Sequence, residues 1–423
     1  MTVDAAHRAV EAVWRIESAR VIAALARMVN DIGLAEELAQ DALVAALEEW
    51  PRKGVPDNPG AWLTLTAKHQ AIDQFRRRDT YQRKLQEIGL DQELRQESAE
   101  AELDDALDDH IGDDLLRLIF TACHPALPVE GRLALTLRLL GNLTTAEIAR
   151  AFLVPEPTVG QRISRAKRTL ADKKIPIELP PPAELPARLA SLLEVIYLIF
   201  NEGYAATAGD DWIRPSLCQE AMRLGRVLAG LMPEEPEVHG LLALMEIQSS
   251  RLPARTAPDG RPILLLDQDR SRWDRLLIRR GLAALRRAEE LGTLGPYGLQ
   301  AAIAACHARA LTPEATDWER MAALYRLLAH LTPSPIVELN RAVAVGMAYG
   351  PARGLEIVDS LLDERALQGY AQLPAVRGDL LARLGRAEEA SAEFRRAAEL
   401  TRNARERDLF LERAAGSVTP ARP

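Results

Sequence analysis

The sequence predicts an all-α protein, and three observations carry that expectation. Hydrophobic residues make up 48% of the 423 and aromatic residues only 4%, so cores must be filled by Leu and Ala, as in packed helices. Apolar residues recur at helical spacing through most of the chain. No strand-period alternation stands out, and Pro- and Gly-rich stretches separate the periodic segments.

The first helical segment spans residues 6–78. Val10, Val13, Trp14, Val21, Ile22, Leu25 and Val29 fall at helical spacing. A second helix is predicted over residues 34–50, with Leu34, Leu38, Ala42, Leu43 and Leu47 on one face. Residues 51–60, with three prolines and two glycines, break it and form a loop. A third helix over residues 61–78 ends in Arg76, Arg77 and Arg78. Residues 79–114 carry few large apolar side chains and read as a flexible linker with transient helix. A compact helical segment then runs over residues 115–174. Residues 175–182, with four prolines, mark a stiff boundary, because proline lacks the amide that a helix needs. Beyond residue 187 the chain reads as helical nearly to its end. Helices starting near Asp317, Ala352 and Ala387 give a period of about 35 residues, which suits a solenoid of helical hairpins.

Charge and cysteine usage bound the function. The formal net charge is −8, which at first argues against nucleic acid, but the sign is uneven. Residues 79–114 hold three basic against thirteen acidic residues, net −10, whereas residues 138–174 hold eight basic against three acidic, net +5. A basic helical surface is thus hidden by the total. Cys123, Cys218 and Cys306 lie far apart without a CxxC pair, as expected for reduced, mostly buried thiols. The N-terminus has no leader-like apolar run, and no stretch of about 18 apolar residues suits a membrane span. A cytoplasmic protein without a membrane contact is expected.

The most informative stretch is residues 143–170. Thr144 followed by Glu147 is a capping-box pattern at a helix start. Ile148, Ala149 and Phe152 form the inner face of that helix, a short turn follows at 153–155, and Val159, Ile163, Ala166 and Leu170 form the inner face of the next. The opposite face of the second helix carries Thr158, Gln161, Arg162, Arg165 and Arg168. Two helices so arranged let the second enter a major groove, where Arg and Gln supply the paired donors that guanine and adenine edges need. An ordinary solvated Arg-rich helix pair fits the same pattern.

This hairpin resembles the promoter-reading domain of sigma factors, and the residues upstream extend the resemblance. Leu133, Leu135, Leu137 and Leu139 look like the helix before that family's helix-turn-helix. The stretch 35–42 resembles the polar helix that docks on core RNA polymerase, which implies polymerase contacts at Glu36, Glu37, Gln40 and Asp41. Residues 61–78 resemble the helix that meets the melted minus-ten element. That likeness implies DNA contacts at Lys68, His69, Gln70, Asp73, Arg76 and Arg77, and in the helix-turn-helix at Thr158, Gln161, Arg162, Arg165, Lys167 and Arg168. Trp62 is either a core residue or a platform for base stacking. Two short domains in this order indicate the extracytoplasmic-function class. The implied organisation is a region 2 domain at 1–80, an acidic linker at 81–113, a region 4 helix-turn-helix domain at 114–175 and a Pro-rich linker at 176–187. A helical extension at 188–415 completes it and resembles the tetratricopeptide-like extension of one group of the class. In the last hairpin Gly378, Ala390, Phe394 and Ala397 fall at tetratricopeptide spacings. The acidic linker is either a mimic of nucleic acid or a solubilising spacer.

The resemblance implies a binding protein without cofactor, metal or covalent chemistry, whose partners are core RNA polymerase and promoter DNA. An enzyme is the first rival: Asn201, Glu202, Tyr204, Asp267, Asp269, Arg270, Trp273 and Asp274 are polar residues clustered enough to line a pocket. They are read chiefly as inter-helix contacts, because the chain has no phosphate loop, nucleophile elbow or metal-spaced His cluster. Cys123 and His124, adjacent in sequence, lack the facing geometry of a thiolate–imidazole pair. The second rival is a repeat-containing DNA-binding regulator, which leaves the polymerase-docking pattern unexplained. The extension is expected to regulate the first two domains or to dock a protein partner.

Overall fold

In a computed structural model of the chain, residues 3–86, 103–205 and 213–418 are described. They form eighteen α-helices and no strand beyond one isolated bridge between Thr256 and Pro262. The chain divides into two compact units, residues 1–195 and 196–423.

In the first unit, α1 (Val3–Val29), α2 (Ile32–Lys53) and α3 (Pro59–Gln86) pack on one another. Val10, Val21, Leu25, Leu38, Trp50 and Leu63 are buried between them. Asp31 caps α2 by accepting from the Leu34 amide at 3.0 Å. Helix α2 does not stop at Pro51 as expected; it runs on to Lys53, carrying the proline in its last turn. Gly54, at φ 92°, ends it and donates to the Trp50 carbonyl at 3.0 Å. A residue with a Cβ takes that backbone conformation only under strain. Helix α3 starts as read, with Asn58 accepting from the Ala61 amide, but continues eight residues past the expected end at 78.

Helix α4 (Leu103–Ala122) begins inside the tract read as a linker, which is therefore helical at both ends; its middle, residues 87–102, lies outside the described residues. Leu103, Leu107 and Ile111 recur at helical spacing among the acids, a period the charge had masked. Helix α4 packs along α1, where buried Asp114 meets Arg27 at 3.4 Å and Arg117 at 2.9 Å. Helices α5 (Val129–Leu139), α6 (Thr145–Phe152) and α7 (Glu156–Asp172) follow. Helix α8 (Leu185–Tyr204) begins in this unit. There Arg188 donates to the Phe120 carbonyl at 3.1 Å, Ser191 donates to that of Cys123 at 2.9 Å, and Arg132 reaches Glu194 at 3.1 Å.

The second unit continues with α9 (Pro215–Leu231), α10 (Pro236–Ser249), α11 (Arg275–Leu291), α12 (Pro296–Arg309), α13 (Trp318–Leu331) and α14 (Pro335–Tyr349). It ends with α15 (Pro351–Asp359), α16 (Gln372–Arg383), α17 (Ala387–Leu400) and α18 (Ala404–Val418). Proline at the first turn sets φ where no amide is needed, and it starts α9, α10, α12, α14 and α15. Helices α13, α15 and α17 begin where the sequence period places the second helix of each hairpin. In the last hairpin Ala390, Phe394 and Ala397 are buried, and a Cβ on Gly378 would stand 3.0 Å from the Phe394 ring. That close approach is why the repeat requires glycine there.

Candidate nucleic-acid and polymerase interface

The helix-turn-helix is built as its pattern predicts. Thr144 Oγ1 accepts from the Glu147 amide at 3.2 Å, and the Glu147 carboxylate accepts from the Thr144 amide at 2.8 Å. The bonds that the Thr144 amide and hydroxyl donate to the Glu147 carboxylate, the latter at 2.9 Å, hold it below its ordinary range. Leu153 takes a left-handed conformation (φ 50°, ψ 43°) that turns the chain out of α6. Ile148, Ala149, Val159, Ile163, Ala166 and Leu170 are buried, and Phe152 is half-buried. On the outer side of α7, Gln161, Arg165 and Arg168 are exposed, while Thr158 and Arg162 are half-buried. Arg168 makes a 3.4 Å surface pair with Asp172, which barely restrains it.

Lys167 departs from this picture. Its ammonium is paired with the Glu36 carboxylate of α2, and Arg138 Nε of α5 donates to the other oxygen of Glu36 at 2.7 Å. Gln40, one turn along α2, adds a bond of 3.2 Å. A residue expected on DNA and one expected on polymerase therefore meet each other. Glu36 is only 7% exposed. Burial by itself would raise its pKa, but Lys167 and Arg138 outweigh it and hold the carboxyl below the ordinary value. Glu37, Gln40 and Asp41 are exposed; Glu37 and Asp41 share the next stripe of the helix.

On α3, His69, Asp73 and Arg76 are exposed, Lys68 and Gln70 are half-buried, and the side chain of Arg77 lies outside the described residues. Trp62 is half-buried and packs edge-on against Trp50, with ring centroids 5.5 Å apart. Leu65, at helical spacing beside buried Leu63, is 46% exposed, and Ile72 is 42% exposed. With His69 and Arg76 they make one mixed apolar and basic stripe along α3. The sequence signal for it was the surplus of apolar residues over what one buried face can hold.

The polar cluster of the second unit is a set of caps and inter-helix bonds. Asp269 accepts from the Ser271 amide at 2.9 Å, and Asp274 caps α11 through the Leu276 and Leu277 amides. Arg270 is buried and donates to the carbonyls of His307 and Ala310 and to Thr316. Glu202 pairs with Arg214, and the Arg255 guanidinium lies 3.7 Å over the Tyr204 ring. Cys123 faces Thr136 at 3.3 Å, and burial pushes its thiol up to about 11. His124 instead accepts from the Ala126 amide, and burial with Arg188 and Lys173 nearby pushes its pKa down to about 4. The two side chains do not form a pair.

Among the described residues no helix is long and apolar enough to cross a membrane. Residues 15–81 match Sigma-70 region 2, residues 117–170 match Sigma-70 region 4, and residues 188–289 match a family of unknown function, DUF6596. The chain is 46% identical over 388 residues to the uncharacterized protein R00370 of Rhizobium meliloti (strain 1021), covering 92% of this chain and 90% of that one. It is 26% identical over 175 residues to the probable ECF RNA polymerase sigma factor SigI of Mycobacterium tuberculosis, covering 41% of this chain and 59% of SigI. A helix-turn-helix with an outward Arg and Gln face, regions 2 and 4 in order and a DUF6596 segment after them place the chain in one family with the Rhizobium meliloti protein, as an ECF-like sigma factor with a C-terminal extension.

Proposed function

We propose that this sigma factor binds core RNA polymerase through α2, opens the promoter with α3 and reads the upstream element with α7, all without catalysis, in the cytoplasm. The observation that carries the reading is the outward face of α7, where Gln161, Arg162 and Arg165 stand above a fully formed capped helix-turn-helix. Glu37 and Asp41 are the docking carboxylates outside the Glu36 cluster, to which Gln40 is bonded, and carboxylates of this kind steer association with a basic partner. The α3 stripe of Leu65, His69, Ile72 and Arg76 joins Lys68, Gln70, Asp73 and Arg77 as the strand-contacting surface, with Leu65 and Ile72 offering apolar area to unstacked bases. Glu36 and Lys167 serve each other in this conformation, so they reach polymerase or DNA only when α7 moves off α2. The extension regulates these steps.

Co-elution of the full chain with core RNA polymerase on a sizing column tests the reading. A stoichiometric complex is expected, weakened by Glu37→Lys with Asp41→Lys while helical content stays as in wild type. No complex with the wild-type chain, alongside specific DNA binding, would leave a DNA-binding regulator as the better account. An undiminished complex in the double variant would place the docking surface elsewhere.

A further inference from the structure

The second unit has a half-open cavity of about 760 Å³ that none of the promoter or polymerase contacts uses. Its volume lies in the range that proteins use for small-molecule ligands. The floor comes from the first helices of successive hairpins: Val343 and Met347 on α14, Val376 and Leu380 on α16, and Phe410 on α18. Spacings of four residues on α14 and α16 put each pair on one face. The chain itself supplies the opposite wall. Residues 256–267 lie across the cavity as a strap, with Ile263, Leu264, Leu265 and Leu266 lining it.

The strap is pinned. Ile263 donates to the Arg255 carbonyl at 2.8 Å, and Ala257 donates to that of Arg261 at 2.9 Å. Buried Gln268 donates to the Ile263 carbonyl at 3.1 Å. Immediately after it, the buried Arg270 bonds fix the chain against α12. These bonds fix the shape of the strap itself and anchor its end to α12.

One end of the cavity is charged. Asp379 sits between Arg383 and Arg413, accepting from Arg383 Nε at 2.9 Å and from Arg413. Both guanidinium groups lean on this one carboxylate, and Arg261 and Asp267 also line the cavity. The remaining Arg383 contact is telling: Nη1 points at the thioether of Met347 at 2.9 Å. Sulfur in a thioether is a weak acceptor, and a carboxylate oxygen would displace it readily. Arg413 is fixed further by the Phe394 ring, 4.3 Å from its guanidinium carbon.

We propose that this cavity binds a small amphipathic organic acid. The apolar body lies on Val343, Val376, Leu380 and Phe410, and the carboxylate takes the place of the Met347 sulfur at Arg383, beside Arg413. The extension is then a sensor domain, and the inference stands independently of promoter recognition because binding needs neither polymerase nor DNA.

Decanoate, with decanol as its neutral partner, probes the site on the full chain by isothermal titration below the micellar concentration. Saturable one-to-one binding of decanoate is expected, with decanol weaker by about ten- to a hundredfold, the loss that follows removal of one charge-assisted hydrogen bond. Arg383→Gln should weaken decanoate by a similar factor and leave decanol unchanged. Met347→Trp, which fills the cavity, should abolish both. Arg396→Gln, at an exposed position on α17, should bind as wild type. Circular dichroism melting of each variant separates lost binding from lost fold. Equal affinities for decanoate and decanol, retention of binding in Met347→Trp, or no saturable binding to the wild-type chain would each overturn the proposal. Binding of an apolar peptide carboxylate such as N-acetyl-Leu-Leu-Phe where decanoate fails would likewise refute it in favour of a peptide groove.

Discussion

Replacing Glu36 by glutamine keeps the shape of the side chain and removes the charge that holds α2 against α5 and α7. The carboxylate accepts from Arg138 at 2.7 Å and from the Lys167 ammonium. A glutamine offers one acceptor oxygen, and its amide protons face two cations that can only donate. Each hydrogen bond to a charged group contributes about 1.5–3 kcal/mol, and breaking a fully buried ion pair costs about 3–5 kcal/mol. Here the partners are a quarter exposed, 26% for Arg138 and 25% for Lys167, so water compensates in part. A loss of about 2–4 kcal/mol at this contact is expected. Native-state hydrogen exchange reads it directly, because 1.4 kcal/mol is tenfold in an opening constant. Amides of α2 and α7 whose exchange runs through parting of these helices should lose about thirtyfold to nearly a thousandfold in protection. Amides in α16 and α17 should not change. Protection of α2 and α7 within about threefold of wild type would refute the reasoning, since a contact of that size cannot vanish without trace.

The same carboxylate sets a pH dependence. Its folded pKa lies below the ordinary 4.5, so the contact contributes fully above that value and is lost as pH falls through the lowered one. Carboxyl carbon NMR of Glu36 should show a midpoint below 4.5, moving back up in Lys167→Met; an unshifted midpoint in wild type would contradict the pairing. In promoter binding, Arg162→Ala and Arg165→Ala should weaken affinity by about 1–3 kcal/mol for whichever meets a base edge. Fluorescence anisotropy with labelled promoter DNA checks this, and wild-type affinity in both variants would remove α7 from the recognition role. Gly240→Ala should lower the melting temperature of the extension, because the new Cβ would stand 2.6 Å from the Gly298 backbone nitrogen on α12. Overpacking of this kind costs about 1–3 kcal/mol, and an unchanged melt by calorimetry would mean that α10 and α12 do not approach so closely.

Much of this architecture is determined locally and was therefore legible in the sequence. The Thr144–Glu147 box, the apolar faces of α6 and α7 and the starts of α13, α15 and α17 follow from residues within one or two turns of each other. Asp269 and Asp274, read as inter-helix contacts, instead cap the turns that follow them. Where local signals compete, one overrides the other: Pro51 signals a stop, yet α2 tolerates it in the last turn. The acids after Asp79 hid the start of α4. Leu65 shows the limit of periodicity, since its spacing fits a core that the neighbouring helices do not reach.

Tertiary structure alone decided the rest. Glu36 and Lys167 are 131 residues apart, and each sits on a face that reads as solvated. Helical spacing gives the direction of a side chain relative to its own axis but says nothing about which other helix stands opposite. The cavity behind the 256–267 strap is likewise invisible in one dimension, because its lining is drawn from three hairpins and a loop. What a sequence determines is each element and its faces; which faces meet, and which space stays empty between them, is fixed only when the whole chain packs.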